Sequence, residues 1–271
     1  MREHSPMAGR VGRQPAAIRH AALNSMFDLS SVQLSVIIPA YNEELRLPQT
    51  LTQTIQYLKS QSYISEIIVV NDGSTDGTEQ VILRHRSSPV SVRLLAHPDG
   101  GNHGKGASVK IGMKEAFGAY RLFMDADNST AIEQVARFWP FFDKGYDVVI
   151  GSRALEESVI GVRQARHKEL LGRLGNWIVQ FFVLPGIRDT QAGFKMFTRD
   201  AALEIFHRLT VDGWGYDVEL LVIARCHGYG IREVPITWIN AACSKVNAKS
   251  YLQVLGEVWR IRRNLKAGLY E

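Results

Sequence analysis

Long hydrophobic runs and cysteines are both scarce in this chain of 271 residues. No stretch of about 20 uncharged apolar residues occurs, so we expect no transmembrane helix. The N-terminus also lacks the apolar core of a secretory signal. The two cysteines, Cys226 and Cys243, form neither a CxxC pair nor a disulfide framework. This cysteine usage favours a cytoplasmic protein in a reducing compartment.

The net charge of +5 is concentrated at the two ends of the chain. The first 33 residues carry four arginines against two acidic residues, and residues 244–271 carry six basic residues against two acidic ones. A nearly neutral body with basic ends is unlike a nucleic-acid groove, so we expect no nucleic-acid partner, although contact of the ends with RNA stays an alternative. A basic C-terminal flank fits an anionic surface such as a membrane.

Apolar segments that read as buried strands alternate with helical patterns along most of the chain. The pattern predicts an α/β fold with a mainly parallel, doubly wound, Rossmann-like sheet. The predicted strands lie at 34–38, 66–70, 92–95, 122–124 and 147–151, with a late strand over 230–239. We divide the chain into a mobile leader (1–32), one α/β domain (33–243) and a basic amphipathic C-terminal helix (244–271).

The stretch Tyr120–Thr130, YRLFMDADNST, places two carboxylates directly after a buried strand. In an extended segment residues i and i+2 face the same side, so Asp125 and Asp127 can point at one ion. A hard divalent cation such as Mg²⁺ or Mn²⁺ takes oxygen ligands of this kind. The alternative is an ordinary polar turn after a strand.

Glycines and one lysine cluster in the stretch Gly100–Gly106, GGNHGKG, ahead of a predicted helix. Backbone N–H groups at a helix N-terminus, together with Lys105, make a plausible phosphate cradle. The spacing differs from a Walker A loop because Gly106 follows the lysine. A flexible loop with a solvated lysine is the alternative.

Two segments are predicted to be amphipathic helices. Over 163–184 one stripe is apolar and aromatic, with Arg166 and Arg173 along its edge: Leu170, Leu171, Leu174, Trp177, Ile178, Phe181 and Phe182. Such a helix either lies in a bilayer interface or packs on the sheet, and the sequence leaves both open. The C-terminal helix has its own stripe, formed by Tyr251, Val254, Leu255, Val258, Arg262 and Leu265.

Seven short motifs together resemble the family-two glycosyltransferases of the GT-A fold. Within that family the chain is most similar to the polyprenyl-phosphate sugar transferases, the dolichyl-phosphate β-glucosyltransferases above all. The motifs occur in the family's order over roughly residues 34–245: Ser35–Glu43 (SVIIPAYNE), Val69–Asp76 (VVNDGSTD), Gly104–Gly106 (GKG), Asp125–Asp127 (DAD), Gly151–Arg153 (GSR), Asp189–Lys195 (DTQAGFK) and Tyr216–Glu219 (YDVE).

The resemblance implies a UDP-sugar donor, most simply UDP-glucose, a divalent metal, inversion at the anomeric carbon and a polyprenyl phosphate acceptor. By matched position it implies nucleotide-sugar binding by Pro39, Ala40, Tyr41, Glu43, Asp72, Lys105, Asp125, Ala126 and Trp214. It implies a metal on Asp125 and Asp127, and catalytic roles for Asp127, Arg153, Gln191 and Asp217. It implies contacts to the acceptor phosphate from Arg153, Lys195, Ser244 and Lys245.

The chain departs from the family pattern in two places. Membrane spans that often flank this family are not present in the sequence, so we expect peripheral contact with the cytosolic face of a membrane. The segment after Ser244-Lys-Val246, NAKSY, is less typical of the family.

The chemistry of the acceptor decides which residues are required. A phosphate monoester has a second pKa of about 6, so a lipid phosphate is already an anion at neutral pH and needs cations rather than a base. Arg153 and Lys245 suit that role. A hydroxyl acceptor on a soluble glycan would instead need a carboxylate base, for which Asp217 and Glu219 are the candidates.

Two further protein classes fit the residues less well. A sugar-phosphate nucleotidyltransferase would carry a glycine-rich, basic loop after its first strand, where this chain has Pro39–Glu43. A non-catalytic binding module is disfavoured because both carboxylates of the DAD turn and the distal Gln-Ala-Gly are intact.

Overall fold

The computed structural model describes residues 31–161, 175–239 and 248–271. Residues Val32–Glu271 form one compact unit, and the C-terminal helix belongs to it. The predictions that concern the leader before residue 31, the first part of the aromatic helix, and Ser244 and Lys245 lie outside the described residues.

A seven-stranded sheet forms the centre of the unit, with strand order β3-β2-β1-β4-β7-β5-β8. The strands are β1 (Leu34–Ala40), β2 (Ser65–Asn71), β3 (Ser91–Ala96), β4 (Tyr120–Met124), β5 (Val148–Ser152), β7 (Phe194–Thr198) and β8 (Ile231–Pro235). Strands β6 (Val159–Ile160) and β9 (Thr237–Trp238) form a separate two-stranded parallel sheet. The mostly parallel α/β sheet confirms the predicted fold class.

Strand β7 is the one strand of the seven-stranded sheet that the sequence pattern does not predict. It runs antiparallel between β4 and β5, while the other pairs of the large sheet are parallel. The apolar run Phe194–Thr198 is short and has Lys195 at its second position, so the pattern there resembles a connecting segment. A lysine is unusual in a buried strand, so the sequence pattern does not indicate one here. In the structure Lys195 is nevertheless fully buried in the sheet.

Helices cover both faces of the sheet. They are α1 (Leu47–Lys59), α2 (Thr78–Arg84), α3 (Lys105–Glu115), α4 (Trp139–Phe142), α5 (over 175–182), α6 (Arg199–Arg208), α7 (Tyr216–Cys226) and α8 (Ala248–Lys266). A 3₁₀ helix, Ile132–Arg137, is followed by the single turn of α4. Pro140 in that turn has no backbone N–H to donate, which interrupts the helical bonding there.

Alternation along β1 shows how the two faces are filled. Ile37 packs into the core shared with α3, α6, α7 and α8, whereas Val36 and Ile38 pack into the core under α1 and α2. Successive residues of a strand face opposite sides, so a fully buried strand of this kind needs apolar residues at nearly every position. Helix α8 contributes Val258 and Ile261 to the first core. No helix in the described ranges is both long enough and apolar enough to cross a bilayer.

Candidate active site

The candidate site lies at the edge of the sheet where β1, β2 and β4 end. Parallel α/β sheets bind ligands at this edge, where neighbouring loops diverge. Because β7 is antiparallel, its first residues lie at the same edge, and Phe194 pairs with Met124 at the end of β4. The topology therefore brings the turn after β4 and the Gln-Ala-Gly segment before β7 together, although they are far apart in sequence.

The turn after β4 carries the two predicted metal-binding carboxylates. Asp125 Oδ1 lies 2.5 Å from the ammonium of Lys105, and Asp127 Oδ2 lies 3.8 Å from Arg46 Nη1. Asp127 Oδ1 also accepts a hydrogen bond of 3.0 Å from the N–H of Ser129. Burial and the neighbouring Asp125 raise the pKa of the Asp127 carboxyl, because both disfavour its charged form.

This donor set fits a hard divalent cation. The pKa of Asp127 is raised mainly by burial and next by the charge of Asp125, and a bound cation would offset both effects. Over the described ranges, no group of three or more His, Cys, Asp or Glu side chains converges on one ion site. Mg²⁺ is usually bound by one or two carboxylates, and phosphate oxygens and water fill its remaining coordination positions.

Lys105 stands at the start of α3, beside the carboxylates of the turn. Burial alone would lower its pKa, but the nearby charges of Asp125, Asp217 and Asp127 outweigh burial and raise it. The ammonium also lies 5.9 Å from the centre of the Tyr216 ring. A permanent cation at a helix N-terminus is able to bind phosphate, and the phosphate cradle stays a prediction.

Asp72, at the end of β2, fixes the glycine-rich loop that precedes Lys105. Its carboxylate accepts hydrogen bonds from Asn102 Nδ2 (3.0 Å) and from the N–H groups of His103 (2.8 Å) and Gly104 (3.0 Å). His97 Nε2 lies 3.2 Å away from the same carboxylate. Asp72, which is predicted to bind the nucleotide-sugar, therefore supports the loop in this structure.

The remaining residues predicted to bind the nucleotide lie in β1 and the segment after it, in the turn after β4 and in the loop before α7. Ala40 and Ala126 are buried, and the carbonyl of Ala126 accepts a 2.7 Å hydrogen bond from Thr50. Glu43 is buried and receives two bonds, of 2.5 and 2.7 Å, from the guanidinium of Arg46. Pro39 is a buried residue of β1, Tyr41 is exposed beside it, and Trp214 is half-buried in the loop before α7.

Arg153 is held firmly at the end of β5 by Asp189. Its Nε and Nη2 donate bonds of 2.8 and 2.9 Å to the two carboxylate oxygens, and its backbone N–H adds a third of 2.9 Å. Burial would lower the pKa of Arg153, but Asp189 raises it above its ordinary value, so the guanidinium is permanently charged. The ring of Trp238 lies 5.5 Å from the guanidinium. Gln191, two residues beyond Asp189, is exposed.

Lys195 and Asp217 form an enclosed ion pair. Lys195 Nζ contacts Asp217 Oδ1 and donates a 2.6 Å bond to the carbonyl of Ala192. Burial lowers the pKa of Lys195, and the charge of Asp217 partly offsets that effect. The Lys195 side chain is fully buried, so it is not open to an acceptor phosphate in this structure.

We expect the Lys195→Met variant to lose about 3 kcal/mol of unfolding free energy, because it leaves the Asp217 carboxylate buried without its partner. Urea denaturation followed by circular dichroism measures the loss. The double variant Lys195→Met, Asp217→Leu removes both charges and should recover most of that stability. Equal stability of the single variant and the wild type would show that water, rather than Lys195, satisfies Asp217.

Glu219 has a structural role that the sequence leaves open. It is fully buried and accepts bonds from Thr210 N (2.9 Å), Thr210 Oγ1 (2.6 Å), Val211 N (2.7 Å) and the Tyr270 hydroxyl (2.7 Å). Four donors on one enclosed carboxylate leave no room for a substrate hydroxyl. Glu219 is therefore not a candidate for the catalytic base. It anchors the loop before α7 instead.

Three residues of the site carry no role in the sequence prediction. Arg46 bridges Glu43 and Asp127. Its i+3 spacing from Glu43 in the sequence is typical of an ion pair. Asp189 and Gly193 lie within the motif Asp189–Lys195, but their contacts are visible only in the fold. Asp189 binds Arg153, and Gly193 lies against Asp125.

The sequence of this chain matches known proteins over most of its length. The family model described as Glycosyl transferase family 2 matches residues 35–206. The dolichyl-phosphate beta-glucosyltransferase of Drosophila melanogaster is 37% identical over 268 residues, covering 91% of this chain and 79% of the fly protein. The human protein of the same name is 34% identical over 263 residues, covering 92% and 80%. A third, from Saccharomyces cerevisiae, is 36% identical over 245 residues, covering 83% and 72%.

Solved structures share the fold. Mannosyl-3-phosphoglycerate synthase from Rubrobacter xylanophilus superposes with a TM-score of 0.66 at 20% identity, covering 89% of this chain and 78% of that one. Glucosyl-3-phosphoglycerate synthase from Mycobacterium tuberculosis, in complex with Mn²⁺, UDP-glucose and phosphoglyceric acid, gives 0.63 at 19% identity, covering 94% and 86%.

Proposed function

Because the chain belongs to glycosyl transferase family 2 and has the GT-A fold, we propose that it transfers glucose from UDP-glucose to the phosphate of a dolichyl-type polyprenyl lipid. The name shared by relatives that align with about nine-tenths of this chain carries the proposal, because it states both the sugar and the acceptor. The neighbour bound to Mn²⁺ and UDP-glucose supports the donor and the metal.

Asp125 and Asp127 would hold the Mg²⁺ or Mn²⁺. The ion supplies a Lewis acid that stabilises the charge developing on a departing diphosphate. Lys105 and Arg46 add fixed positive charge on either side of the carboxylate pair, at 2.5 Å from Asp125 and 3.8 Å from Asp127. Cations that are already oriented before the reaction stabilise a leaving anion without reorganisation.

Arg153 would hold the acceptor phosphate. Asp189 occupies its Nε and Nη2, which fixes the plane of the guanidinium and leaves Nη1 for a ligand. An ionised phosphate oriented in this way is itself the nucleophile, so no residue has to remove a proton. We propose that Asp217, held by Lys195, orients hydroxyls of the transferred sugar, and that Gln191 contacts the same group.

A hydroxyl acceptor on a soluble glycan gains no support from the geometry. That reaction needs a carboxylate within hydrogen-bond reach of the hydroxyl and able to take its proton. Asp217 already contacts the ammonium of Lys195, and Glu219 is enclosed by Thr210, Val211 and Tyr270. Glu219 is therefore closed to a substrate hydroxyl, and Asp217 already shares one carboxylate oxygen with Lys195.

The assay that tests the proposal presents purified protein with labelled UDP-glucose and dolichyl phosphate, with Mn²⁺ or with EDTA. Label should enter the organic phase only with the metal, and GDP-mannose should not replace the donor. Transfer of label to a soluble sugar, with none to any prenyl phosphate, would move the assignment to the hydroxyl acceptor.

We further propose peripheral contact with the cytosolic face of a membrane, through exposed aromatic residues of α5. Trp177 and Phe181 are 59% and 69% exposed and stack at 5.6 Å, while Val179 and Val183 of the same segment are buried in the core. Arg262 of α8 lies 4.5 Å from the ring of the neighbouring Phe182. Exposed tryptophan beside arginine is typical of helices that lie in a bilayer interface.

Asn176 connects this aromatic surface to the acceptor site. Its amide donates to the carbonyl of Arg188, and Thr190 donates a 3.4 Å bond to its Oδ1. Asp189, between those two residues, is the partner of Arg153. A lipid whose chain remained in the bilayer could therefore present its phosphate close to Arg153.

We expect the double variant Trp177→Ser, Phe181→Ser to bind anionic vesicles about tenfold or more weakly, because both rings lose apolar area that the interface would bury. Co-sedimentation with vesicles containing phosphatidylserine measures the change. Leu83→Ser removes an exposed apolar side chain of α2, beside β3 at the opposite edge of the sheet, and should bind like the wild type. Equal binding of all three proteins would exclude α5 as the membrane contact.

A further inference from the structure

The loop 210–215, between α6 and α7, supports the helix that presents Lys105. The N–H of Gly106 donates a 2.9 Å hydrogen bond to the carbonyl of Asp212. A Cβ atom on Gly104 would lie 2.7 Å from the same carbonyl oxygen, so the first turn of α3 rests directly on the loop. The position of the Lys105 ammonium therefore depends on where this loop lies.

Helix α8 holds the loop from the other side with a row of polar side chains. Gln253, Glu257 and Arg260 follow one another at intervals of four and three residues, which places them on one face of the helix. Glu257 Oε2 accepts a 2.6 Å bond from the N–H of Gly215, and Gln253 orients the other oxygen with a 2.8 Å bond. Arg260 donates a longer bond, 3.5 Å, to the carbonyl of Thr210.

The two ends of the loop are thus fixed by two different carboxylates. Glu219 holds Thr210 and Val211, and Glu257 holds Gly215. The contact with Glu257 is close, since a Cβ atom on Gly215 would lie 2.8 Å from the side chain of Glu257. Without Glu257 the Gly215 end would lose its charge-assisted bond, and the carbonyl of Asp212 would be free to shift under α3.

We propose that Glu257 is a positioning residue for sugar transfer, which holds the loop 210–215 so that Lys105 meets Asp125. Glu257 touches neither donor nor acceptor and acts through the loop on the ammonium at the start of α3. The proposal rests on the proposed function, because glucose transfer is one of the two quantities that test it. It gives the C-terminal helix a direct connection to the site.

A set of variants tests the proposal, with glucose transfer and UDP affinity in the presence of Mn²⁺ both measured. Glu257→Ala should lower kcat by about 10- to 100-fold, because small displacements of a charged group cost that much. Glu257→Gln keeps an oxygen acceptor for Gly215 and should recover most of the loss. Arg263→Ala, an exposed residue of the same helix, is the matched control and should behave like the wild type. Thermal melts establish that each variant is folded at the assay temperature.

Combining Glu257→Ala with Lys105→Ala separates a positioning role from general destabilisation. If Glu257 acts through Lys105, the double variant should be no slower than Lys105→Ala alone. The inference would be overturned if the losses of kcat in the double variant were additive. It would also be overturned if Glu257→Gln lost as much kcat as Glu257→Ala, or if Glu257→Ala kept the wild-type kcat. A wild type that binds UDP but transfers no glucose would refute the proposed function, and the UDP affinities of the same variants would still test the role of Glu257.

Discussion

Replacing Asp127 with asparagine is expected to lower the kcat of glucose transfer by about 1000-fold, through loss of a charged metal ligand that stabilises the leaving diphosphate. The substitution keeps the shape of the side chain and its bond to the N–H of Ser129. It also mimics the protonated carboxyl, which burial and Asp125 favour by raising the pKa of Asp127. For the same reason, the affinity of the wild type for Mn²⁺ should fall with decreasing pH sooner than it would with an ordinary aspartate as ligand, because the metal has to displace the proton.

The control for this prediction is Asp143→Asn, which changes an exposed aspartate outside the site. Calorimetric titration of each protein with Mn²⁺ in the presence of UDP should show weakened binding for Asp127→Asn alone. Its thermal stability should equal or exceed that of the wild type, since the change removes repulsion from Asp125. An Asp127→Asn enzyme with wild-type turnover would exclude this carboxylate from the metal site.

The part of the site that is local in sequence could be predicted from the residues. Asp125 and Asp127 follow a buried strand at i and i+2, and Lys105 starts a helix after glycines, so each pattern is visible within about ten residues. The parallel sheet then brings strand ends to one edge, which is why separate motifs converge. The structure brings the Lys105 ammonium within 2.5 Å of Asp125, a contact that the sequence does not predict.

Contacts that depend on tertiary pairing could not be predicted in the same way. Lys195 was expected to face an acceptor phosphate, since nothing in FKMFT shows that its charge is paired with Asp217, 22 residues later. Glu219 looks like a candidate base at a helix start, and only the position of Tyr270 shows that it is enclosed. A buried charge is recognisable only when its partner is known, and the partner is set by the fold.

The same limit applies to Gly193, whose importance the structure reveals. A Cβ atom at this position would lie 2.5 Å from Cγ and 2.6 Å from Oδ1 of Asp125, inside the 3.0 Å that real Cβ atoms keep. The position has no room for a side chain, because the antiparallel β7 begins directly against the turn after β4. An alanine would have to push the carboxylate away from Lys105.

We therefore expect Gly193→Ala to lower glucose transfer by about 100-fold, because Asp125 is displaced from its metal and from Lys105. Gly256→Ala is the matched control, because a Cβ there meets nothing within 4 Å, and it should keep full activity with slightly higher stability. Isothermal titration with UDP and Mn²⁺ should show the weakened metal site directly. Full activity of Gly193→Ala would mean that Asp125 can move without penalty, and the 2.5 Å contact with Lys105 would then not be what fixes the carboxylate pair.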